Sequence, residues 1–281
     1  MITVALLCLA ASARADDPPA ELPIVPQGFD TCRDGVPTGK VERVEYDSKA
    51  GAGKREMLVY TPPGYEMETE AKYPVLYLLH GGGDNETGWV EKGAADVILD
   101  NLLADKRLVP MIAVMPNGRV IKPGERSTTP FAGFDAFGQD LPEDIIPYVE
   151  NQYRVKADRT DRALAGLSMG GLQTLDIGLT HLDTFAYLGV FSSGWFPDNR
   201  AKFEKDNLPI LEDSETNNKL RLFWIANGKP DIAYANNNAM LEMFDRYGLK
   251  YQYREGKGGH VWESWRNHLW VFAPLLFSEG H

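Results

Sequence analysis

The sequence predicts an α/β fold in which helices cover both faces of a mostly parallel central sheet. Two observations lead to this prediction. Runs such as Tyr73–Leu79 and Pro110–Met115 are apolar on both faces, which is typical of strands buried in a parallel sheet. Between them, Ala94–Leu103 has the apolar spacing of an amphipathic helix. Strands that alternate with helices form βαβ units, whose strands run parallel.

The other elements continue this alternation along the chain. Val41–Tyr46 and Arg55–Tyr60 alternate polar and apolar residues and form a predicted hairpin around the turn-rich Ala50–Gly53. Further strands are predicted over Arg162–Leu167, Ala186–Phe191, Leu220–Ala226 and Tyr251–Glu255. Further helices are predicted over Leu141–Tyr153, Gly171–Leu179, Ala233–Tyr247 and Ser264–Phe277. No repeat or linker interrupts the series, so we expect one domain over residues 38–281.

The composition is that of an ordinary globular protein, and it excludes several other classes of protein. Of 281 residues, 43% are hydrophobic and 25% are charged, which excludes a disordered chain, a collagen-like repeat and a membrane-embedded bundle. Lys and Arg number 29 against 40 Asp and Glu, which gives a formal net charge of −11. Because nucleic-acid binding requires clustered Lys and Arg, no nucleic-acid partner is expected.

Residues 1–15 resemble a signal peptide. Ile2–Ala13 is an apolar run, and Ala13-Arg14-Ala15 supplies the small residues of a cleavage site; a frayed apolar terminus is the alternative. The run is too short to span a bilayer, which takes about 20 apolar residues. We therefore expect a secreted or periplasmic protein without a membrane span. Residues 16–37 are rich in Pro, Asp and Gly and are expected to form an irregular lead-in.

The segment Gly166–Gly171 (GLSMGG) points to a nucleophilic serine. It follows a predicted strand directly and opens a predicted helix, which is the setting that the G-x-S-x-G nucleophile elbow requires. The tight turn lifts the Ser168 hydroxyl clear of the sheet, and the helix N-terminus favours negative charge that develops beside it. Ser168 is therefore the predicted nucleophile.

A serine hydroxyl needs a base that accepts its proton, and histidine is the expected type. His181 and His268 lie in or beside predicted helices, where packing or surface roles are more common, and His281 is the terminal residue. His260 follows Gly258-Gly259 in a loop after the last predicted strand, where the base of this architecture belongs. His260 is therefore the predicted general base.

A third residue must orient the histidine and stabilise its charged form. An acid in this role is expected after a strand that lies between the serine and the histidine in the chain. The sequence NGKPD places Asp231 in a turn at the end of such a strand, so Asp231 is the predicted acid. Asp198 follows an earlier strand and is the runner-up.

The run Tyr73–Leu79 leads into His80-Gly81-Gly82-Gly83, an HGGG sequence of the type that supplies half of an oxyanion hole. Two backbone N–H groups directed at the tetrahedral oxyanion lower the barrier to ester cleavage. The predicted donors are Met169, which follows the nucleophile, and Gly82, with Gly83 as the alternative. His80 is expected to brace the loop.

The stretch Arg119–Phe137 is long and has no clear period, so we expect it to lie over the active site. Phe131, Phe134 and Phe137 are candidate contacts for an aromatic acyl group or a sugar face, with packing on the core as the alternative. Trp195 is a further candidate for the same cleft, with buried packing as its alternative. No cluster has the spacing of metal ligands, so no metal is expected.

With these residues in place, the chain resembles the feruloyl esterase and esterase D-like branch of the α/β-hydrolases, carbohydrate esterase family 1. The resemblance covers residues 41–277 and rests on YPVLYLLHGGGDNETGW, GLSMGG, NGKPD and GGHVWESW. It implies an α/β-hydrolase fold and serine carboxylesterase activity without a cofactor, commonly on feruloyl or acetyl groups of plant xylan. It also implies the same triad, Ser168, Asp231 and His260, with oxyanion donors at Met169 and near Gly82.

We therefore expect residues 38–281 to form a catalytic domain that cleaves feruloyl esters of plant cell-wall polysaccharide through an acyl-enzyme. Its partner would be a feruloylated or acetylated xylan-type polysaccharide or oligosaccharide. An acetyl xylan esterase, an S-formylglutathione hydrolase-like thioesterase and an acyltransferase are alternatives that use the same triad. A catalytically silent carbohydrate-binding module is the alternative of a different class, and the three filled triad positions disfavour it.

Overall fold

A twisted nine-stranded sheet forms the centre of the molecule, with strand order β1-β9-β8-β7-β6-β4-β5-β3-β2. The computed structural model describes residues 20–126 and 129–278. The strands are β1 (Ala20–Glu21), β2 (Lys40–Ser48), β3 (Gly53–Thr61), β4 (Val75–Leu79), β5 (Ile112–Pro116), β6 (Arg162–Leu167), β7 (Tyr187–Phe191), β8 (Leu222–Gly228) and β9 (Gln252–Gly256).

Most neighbouring strands run parallel, as the sequence predicts. The exceptions are the β2–β3 hairpin and the β3–β5 pair, which are antiparallel. From β5 across the sheet to β1, every pair is parallel. The carboxyl ends of β6, β8 and β9 therefore meet at one edge of the sheet, where open α/β sheets bind their ligands.

Helices cover both faces of the sheet. They are α1 (Gly88–Glu91), α2 (Ala95–Ala104), α3 (Phe134–Asp140), α4 (Ile146–Gln152), α5 (Met169–Thr180), α6 (Pro197–Asp206), α7 (Leu208–Glu212), α8 (Glu215–Lys219), α9 (Tyr234–Tyr247) and α10 (Trp262–Phe272). A hydrophobic core lies on each face of the sheet, and successive side chains of β4 point into opposite cores. Tyr77 belongs to the core that includes side chains of α5 and α9, and Leu78 belongs to the core that includes side chains of α2 and α10. The α/β-hydrolase fold that the sequence predicts is confirmed. No helix among the described residues is long and apolar enough to cross a membrane.

Several stretches differ from the sequence-based assignment: the short helices α1, α7 and α8 were not predicted, and two longer stretches also differ. Helix α3 begins at Phe134, inside the stretch expected to be a loop, and continues through a π-helical turn at Leu141–Ile145 into α4. Proline at position 142 has no N–H to donate, which breaks the regular helical ladder at this point. Helix α6 was not predicted because its sequence has no apolar stripe, and only Phe203 is buried.

The lead-in is less irregular than the sequence predicts. Residues 20–33, which we call the strap, begin with β1 against β9 and then run along α2 and α10. The Asn101 amide of α2 donates to Phe29 O (2.8 Å) and Thr31 O (3.0 Å), and Asp30 pairs with Arg266 of α10 at 2.9 Å. These partners come from distant parts of the chain, so local composition could not reveal them. The predicted signal peptide lies outside the described residues and stays a prediction.

Candidate active site

Ser168 lies in the turn between β6 and α5, with φ +52° and ψ −114°. A non-glycine residue in this region of φ is strained and persists only where its surroundings hold it. A Cβ on Gly166 would lie 2.5 Å from the Gly170 carbonyl carbon, and a Cβ on Gly170 would lie 2.6 Å from His80 O. The Ser168 N–H donates to Phe191 O at 2.9 Å. The glycines thus permit the close backbone packing that holds the elbow.

The structure brings the three predicted triad side chains into one hydrogen-bonded chain. His260 Nε2 lies 3.0 Å from Ser168 Oγ, and His260 Nδ1 lies 2.8 Å from Asp231 Oδ1. Ser168 follows β6, Asp231 follows β8 and His260 follows β9, so all three project from carboxyl ends of parallel strands. A base between a nucleophile and an orienting acid is the arrangement that activates a serine hydroxyl.

Asp231 is held as a carboxylate. Burial by itself raises its pKa, but hydrogen bonds from His260 and from the Ala233 N–H outweigh burial and keep the pKa of Asp231 below its ordinary value. The Ala233 N–H donates to Asp231 Oδ1 at 2.8 Å. A negative charge is therefore maintained beside the imidazole Nδ1, where it favours the tautomer that carries a proton on Nδ1.

Aromatic rings support the imidazole from the side. The Trp265 ring lies perpendicular to that of His260, with centroids 5.0 Å apart, and Trp262 packs edge-on against Trp265. Trp262 also contacts Trp89, whose indole N–H donates to Leu79 O at 2.9 Å. These three tryptophans connect the end of β4 with the His260 loop.

The glycine loop after β4 lies directly against the elbow. A Cβ on Gly81 would lie 3.4 Å from Ser168 Cβ, and Gly83 adopts φ +80°. Within residues 20–126 and 129–278, neither the Gly82 N–H nor the Gly83 N–H donates to a protein acceptor. Met169 opens α5, so its N–H belongs to the first turn, which has no intrahelical acceptor. One of these N–H groups belongs to the residue after Ser168, and the others belong to the loop that packs against Ser168.

His80 holds this loop in place. Its Nε2 accepts a hydrogen bond from the Gly118 N–H at 2.9 Å, and its Nδ1 lies 2.8 Å from Gly81 O. Burial lowers the pKa of His80, so the ring is neutral and Nε2 is free to accept. Gln173 of α5 donates to Gly118 O at 2.6 Å, so the segment after β5 that contacts His80 is also tied to α5. His80 thus has the geometry of a brace.

Two of the aromatic side chains expected in the cleft lie elsewhere. Phe137 is fully buried in the core, because α3 turns this side chain toward the sheet. Trp195 is only 1% exposed; it stacks on Phe203 and donates its indole N–H to Asp176 Oδ1 at 2.7 Å. The prediction that Phe137 and Trp195 contact substrate is therefore wrong, and their packing alternative describes them.

Phe131 is exposed, Phe134 is half-buried against the core, and the exposed ring of Phe196 packs against Phe131. Phe131 is 38% exposed and Phe196 is 49% exposed. Phe131 lies edge-on to Phe196 at 6.3 Å and tilted to Phe134 at 6.5 Å. Pro130, the neighbour of Phe131, lies beside Gly82, so this aromatic edge (Phe131, Phe134 and Phe196) adjoins the glycine loop. Phe196 was missed from sequence, although its position after SSGW at the end of β7 was a usable signal.

The other candidates take no part in the site. Asp198 is exposed in the first turn of α6, away from His260. His268 is buried against Phe191 and Trp224, and burial lowers its pKa to about 4. In the described part of the chain, no group of His, Cys, Asp and Glu side chains could hold a metal ion.

Comparison with known proteins shows the family. Residues 48–274 match the model of a family described as putative esterase. The chain belongs to this esterase family. It is 36% identical over 262 residues to an endo-1,4-beta-xylanase/feruloyl esterase of Xylanibacter ruminicola, an alignment that covers 92% of this chain and 34% of the relative. Endo-1,4-beta-xylanase Y of Acetivibrio thermocellus is 28% identical, with 81% of this chain and 22% of the relative covered.

A solved structure extends the comparison to the fold. The ferulic acid esterase AmCE1/Fae1A of Anaeromyces mucronatus, in complex with ferulic acid, superposes with a TM-score of 0.76 and 26% identity, covering 90% of this chain and 96% of that one. These matches confirm the resemblance to carbohydrate esterase family 1 that the sequence motifs indicated. The chain spans about a third or less of the length of the two curated relatives.

Proposed function

We propose that this protein is a serine carboxylesterase that cleaves hydroxycinnamoyl esters, such as feruloyl esters, of plant cell-wall polysaccharide. The observation that carries the reaction type is the hydrogen-bonded chain from Ser168 Oγ through His260 to Asp231. The aromatic edge beside the glycine loop supports the choice of acyl group. Feruloyl esterases among the relatives of the chain support the same choice.

The reaction proceeds in two acyl-transfer steps. Ser168 Oγ attacks the ester carbonyl carbon while His260 Nε2 takes the hydroxyl proton, and the carbonyl oxygen becomes an oxyanion. The tetrahedral intermediate collapses, the bond to the alcohol oxygen breaks, and His260 gives its proton to that oxygen. Water then attacks the acyl-enzyme by the same route, and the acid leaves as Ser168 regains its proton.

Two features of the site stabilise charge in these steps. The N–H of Met169 and that of Gly82 or Gly83 donate to the oxyanion, in a turn where the backbone is already held by packing. The Asp231 carboxylate stabilises the imidazolium that forms when His260 accepts the proton. Neither contribution requires a cofactor.

The positions of the exposed apolar side chains support an assignment of the two halves of the substrate. The alcohol oxygen must face His260 Nε2, so the sugar lies on the side where Ile232 (81% exposed) and Val261 (47% exposed) flank the acid and the base. The acyl group extends to the opposite side, past the glycine loop, toward the aromatic edge. A hydroxycinnamoyl ring can pack there against Phe131 and Phe196, whereas an acetyl group has no ring to pack against them.

The test compares two substrates in matched variants. Wild-type protein is expected to release ferulate from methyl ferulate, and Ser168→Ala is expected to lose this activity by at least about 10³-fold. Phe131→Ala and Phe196→Ala are expected to raise KM for methyl ferulate several-fold while hydrolysis of p-nitrophenyl acetate stays unchanged. Met67→Ala, which alters an exposed apolar side chain outside the aromatic edge, serves as the control. Cleavage of the acetate without any release of ferulate would refute the acyl-group assignment.

We also propose that the protein is exported. The apolar run Ile2–Ala13 and the small residues before Asp16 support cleavage by a signal peptidase. A polysaccharide substrate is consistent with a location outside the cytoplasm. Intact-mass measurement of the protein recovered separately from the cytoplasm and from outside it tests the proposal, because a chain confined to the cytoplasm with residues 1–15 retained would contradict it.

A further inference from the structure

Glu255 joins the two loops that carry the acid and the base. Its carboxylate is only 12% exposed and accepts hydrogen bonds from two residues. The Lys229 ammonium lies 2.9 Å from Oε1, and the Tyr234 hydroxyl donates to Oε2 at 2.7 Å. Lys229 precedes Asp231 by two residues and Tyr234 follows it by three, so Glu255 holds the Asp231 loop on both sides.

The same carboxylate belongs to the strand that leads to the base. Glu255 lies near the end of β9, and the chain reaches His260 five residues later. Regular pairing of β8 with β9 ends at Gly228 and Gly256. Just beyond it, the Lys229 N–H donates to Gly256 O at 3.1 Å, and a Cβ on Gly228 would lie 1.7 Å from Gly258 O. The two loops therefore leave the sheet in backbone contact, and Glu255 is the side chain that links them at this point.

We propose that Glu255 is a positioning residue that sets the distance between Asp231 and His260. This inference rests on the proposed function, because it assigns a role to those two residues in activating Ser168. The 2.8 Å contact between His260 Nδ1 and Asp231 Oδ1 depends on two loops that follow different strands. Displacement of a catalytic group by about 1 Å can cost up to about 10²-fold in rate. Because Glu255 is only 12% exposed and acts through these two loops, we expect its loss to reduce kcat and to leave KM unchanged.

The two partners of Glu255 contribute unequally. Lys229 is 69% exposed, so solvent screens its ion pair with the carboxylate. Tyr234 is half-buried and donates a charge-assisted hydrogen bond. We therefore expect Tyr234→Phe to lower kcat more than Lys229→Met does. The Tyr234→Phe effect is expected to disappear in a Glu255→Ala background, because the acceptor of the hydroxyl is already gone.

The experiment measures kcat and KM for p-nitrophenyl acetate and the rate at which a fluorophosphonate probe labels Ser168. Glu255→Ala is expected to lower kcat and the labelling rate about tenfold or more, with KM within twofold of wild type. Glu255→Gln keeps an acceptor for Tyr234 and is expected to restore part of the loss. Both readouts are independent of the acyl-group assignment, so inactivity of the wild type on methyl ferulate would refute that assignment and leave this test intact.

A matched control exists elsewhere in the molecule. Glu204 of α6 accepts from Arg246 at 2.8 Å and from the Tyr247 hydroxyl at 2.9 Å, which is the same combination of a carboxylate, a cation and a tyrosine. Glu204→Ala is expected to affect unfolding to a similar extent but to leave kcat and the labelling rate unchanged. Wild-type kcat in Glu255→Ala, or an equal loss in Glu204→Ala, would overturn the proposal. If Glu255→Ala does not fold, wild-type kcat in Tyr234→Phe is the overturning result.

Discussion

Asp176→Asn removes a partly buried carboxylate from α5, the helix that begins after Ser168, and should stabilise the protein at neutral pH. Asp176 lies on α5 and accepts the indole N–H of Trp195 at 2.7 Å. Burial raises the pKa of Asp176 from 3.8 to about 6; the Trp195 hydrogen bond and Lys202 oppose the increase, and the charge of Asp135 adds to it. The asparagine oxygen can still accept from Trp195, but the side chain carries no charge that burial would penalise.

The size of the effect follows from the pKa shift. A rise from 3.8 to about 6 is roughly two units, and each unit corresponds to about 1.4 kcal/mol. The native state binds the proton more tightly than the unfolded chain does. The stabilisation that the native state gains from binding this proton is therefore fully present below pH 3.8. It is lost as the pH rises through about 6. Above that range, the charged form of Asp176 costs about 3 kcal/mol of unfolding free energy.

Urea unfolding at two pH values measures this cost. Asp176→Asn is expected to exceed wild type by about 3 kcal/mol at pH 8 and by about half of that at pH 5. Asp198→Asn removes an exposed carboxylate and is expected to match wild type within about 0.5 kcal/mol at both values. The reasoning would be refuted if the gain in unfolding free energy of Asp176→Asn over wild type did not shrink from pH 8 to pH 5. It would also be refuted if Asp176→Asn were less stable than wild type at pH 8.

Two further predictions concern packing at the elbow and at the strap. Gly166→Ala is expected to lower the unfolding free energy by at least about 2 kcal/mol, because the new Cβ would meet Gly170 backbone atoms at 2.5 Å. A Cβ on Gly138 in α3 meets nothing within 4 Å, so Gly138→Ala is expected to raise the unfolding free energy by up to about 1 kcal/mol. Thermal unfolding of both variants checks this pair, and a Gly166→Ala protein as stable as wild type would contradict it. Asn101→Ala leaves the carbonyls of Phe29 and Thr31 in the strap without their donor and is expected to lower the unfolding free energy by about 2–4 kcal/mol. Asp105→Ala breaks only a partly exposed ion pair and is expected to lower it by under about 1 kcal/mol. Equal losses in urea unfolding would show that the strap contacts do not stabilise the fold.

The parallel sheet and the location of the site follow from local sequence patterns. Strand β6 has the bounds that its apolar run predicts, and the glycines around Ser168 indicate a turn that few other residues could form. The order of serine, acid and histidine along the chain, each after a strand, left Asp231 and Asp198 as candidate acids, and the structure places Asp231 against His260. Because the carboxyl ends of parallel strands meet at one edge, residues that follow those strands come together without any knowledge of the loops.

Tertiary structure decided which side chains of similar chemistry stay exposed beside the glycine loop. Phe131 and Phe137 are six residues apart in one stretch, yet Phe131 is 38% exposed and Phe137 is fully buried, because α3 begins between them at Phe134. Phe196 reaches the aromatic edge and its neighbour Trp195 does not, since Asp176 and Phe203 hold the indole in the core. Sequence determined the reaction centre through backbone constraints that act locally. Packing between segments far apart in the chain forms the aromatic edge, the strap and the contacts of Glu255 with Lys229 and Tyr234. Only the folded structure specifies that packing.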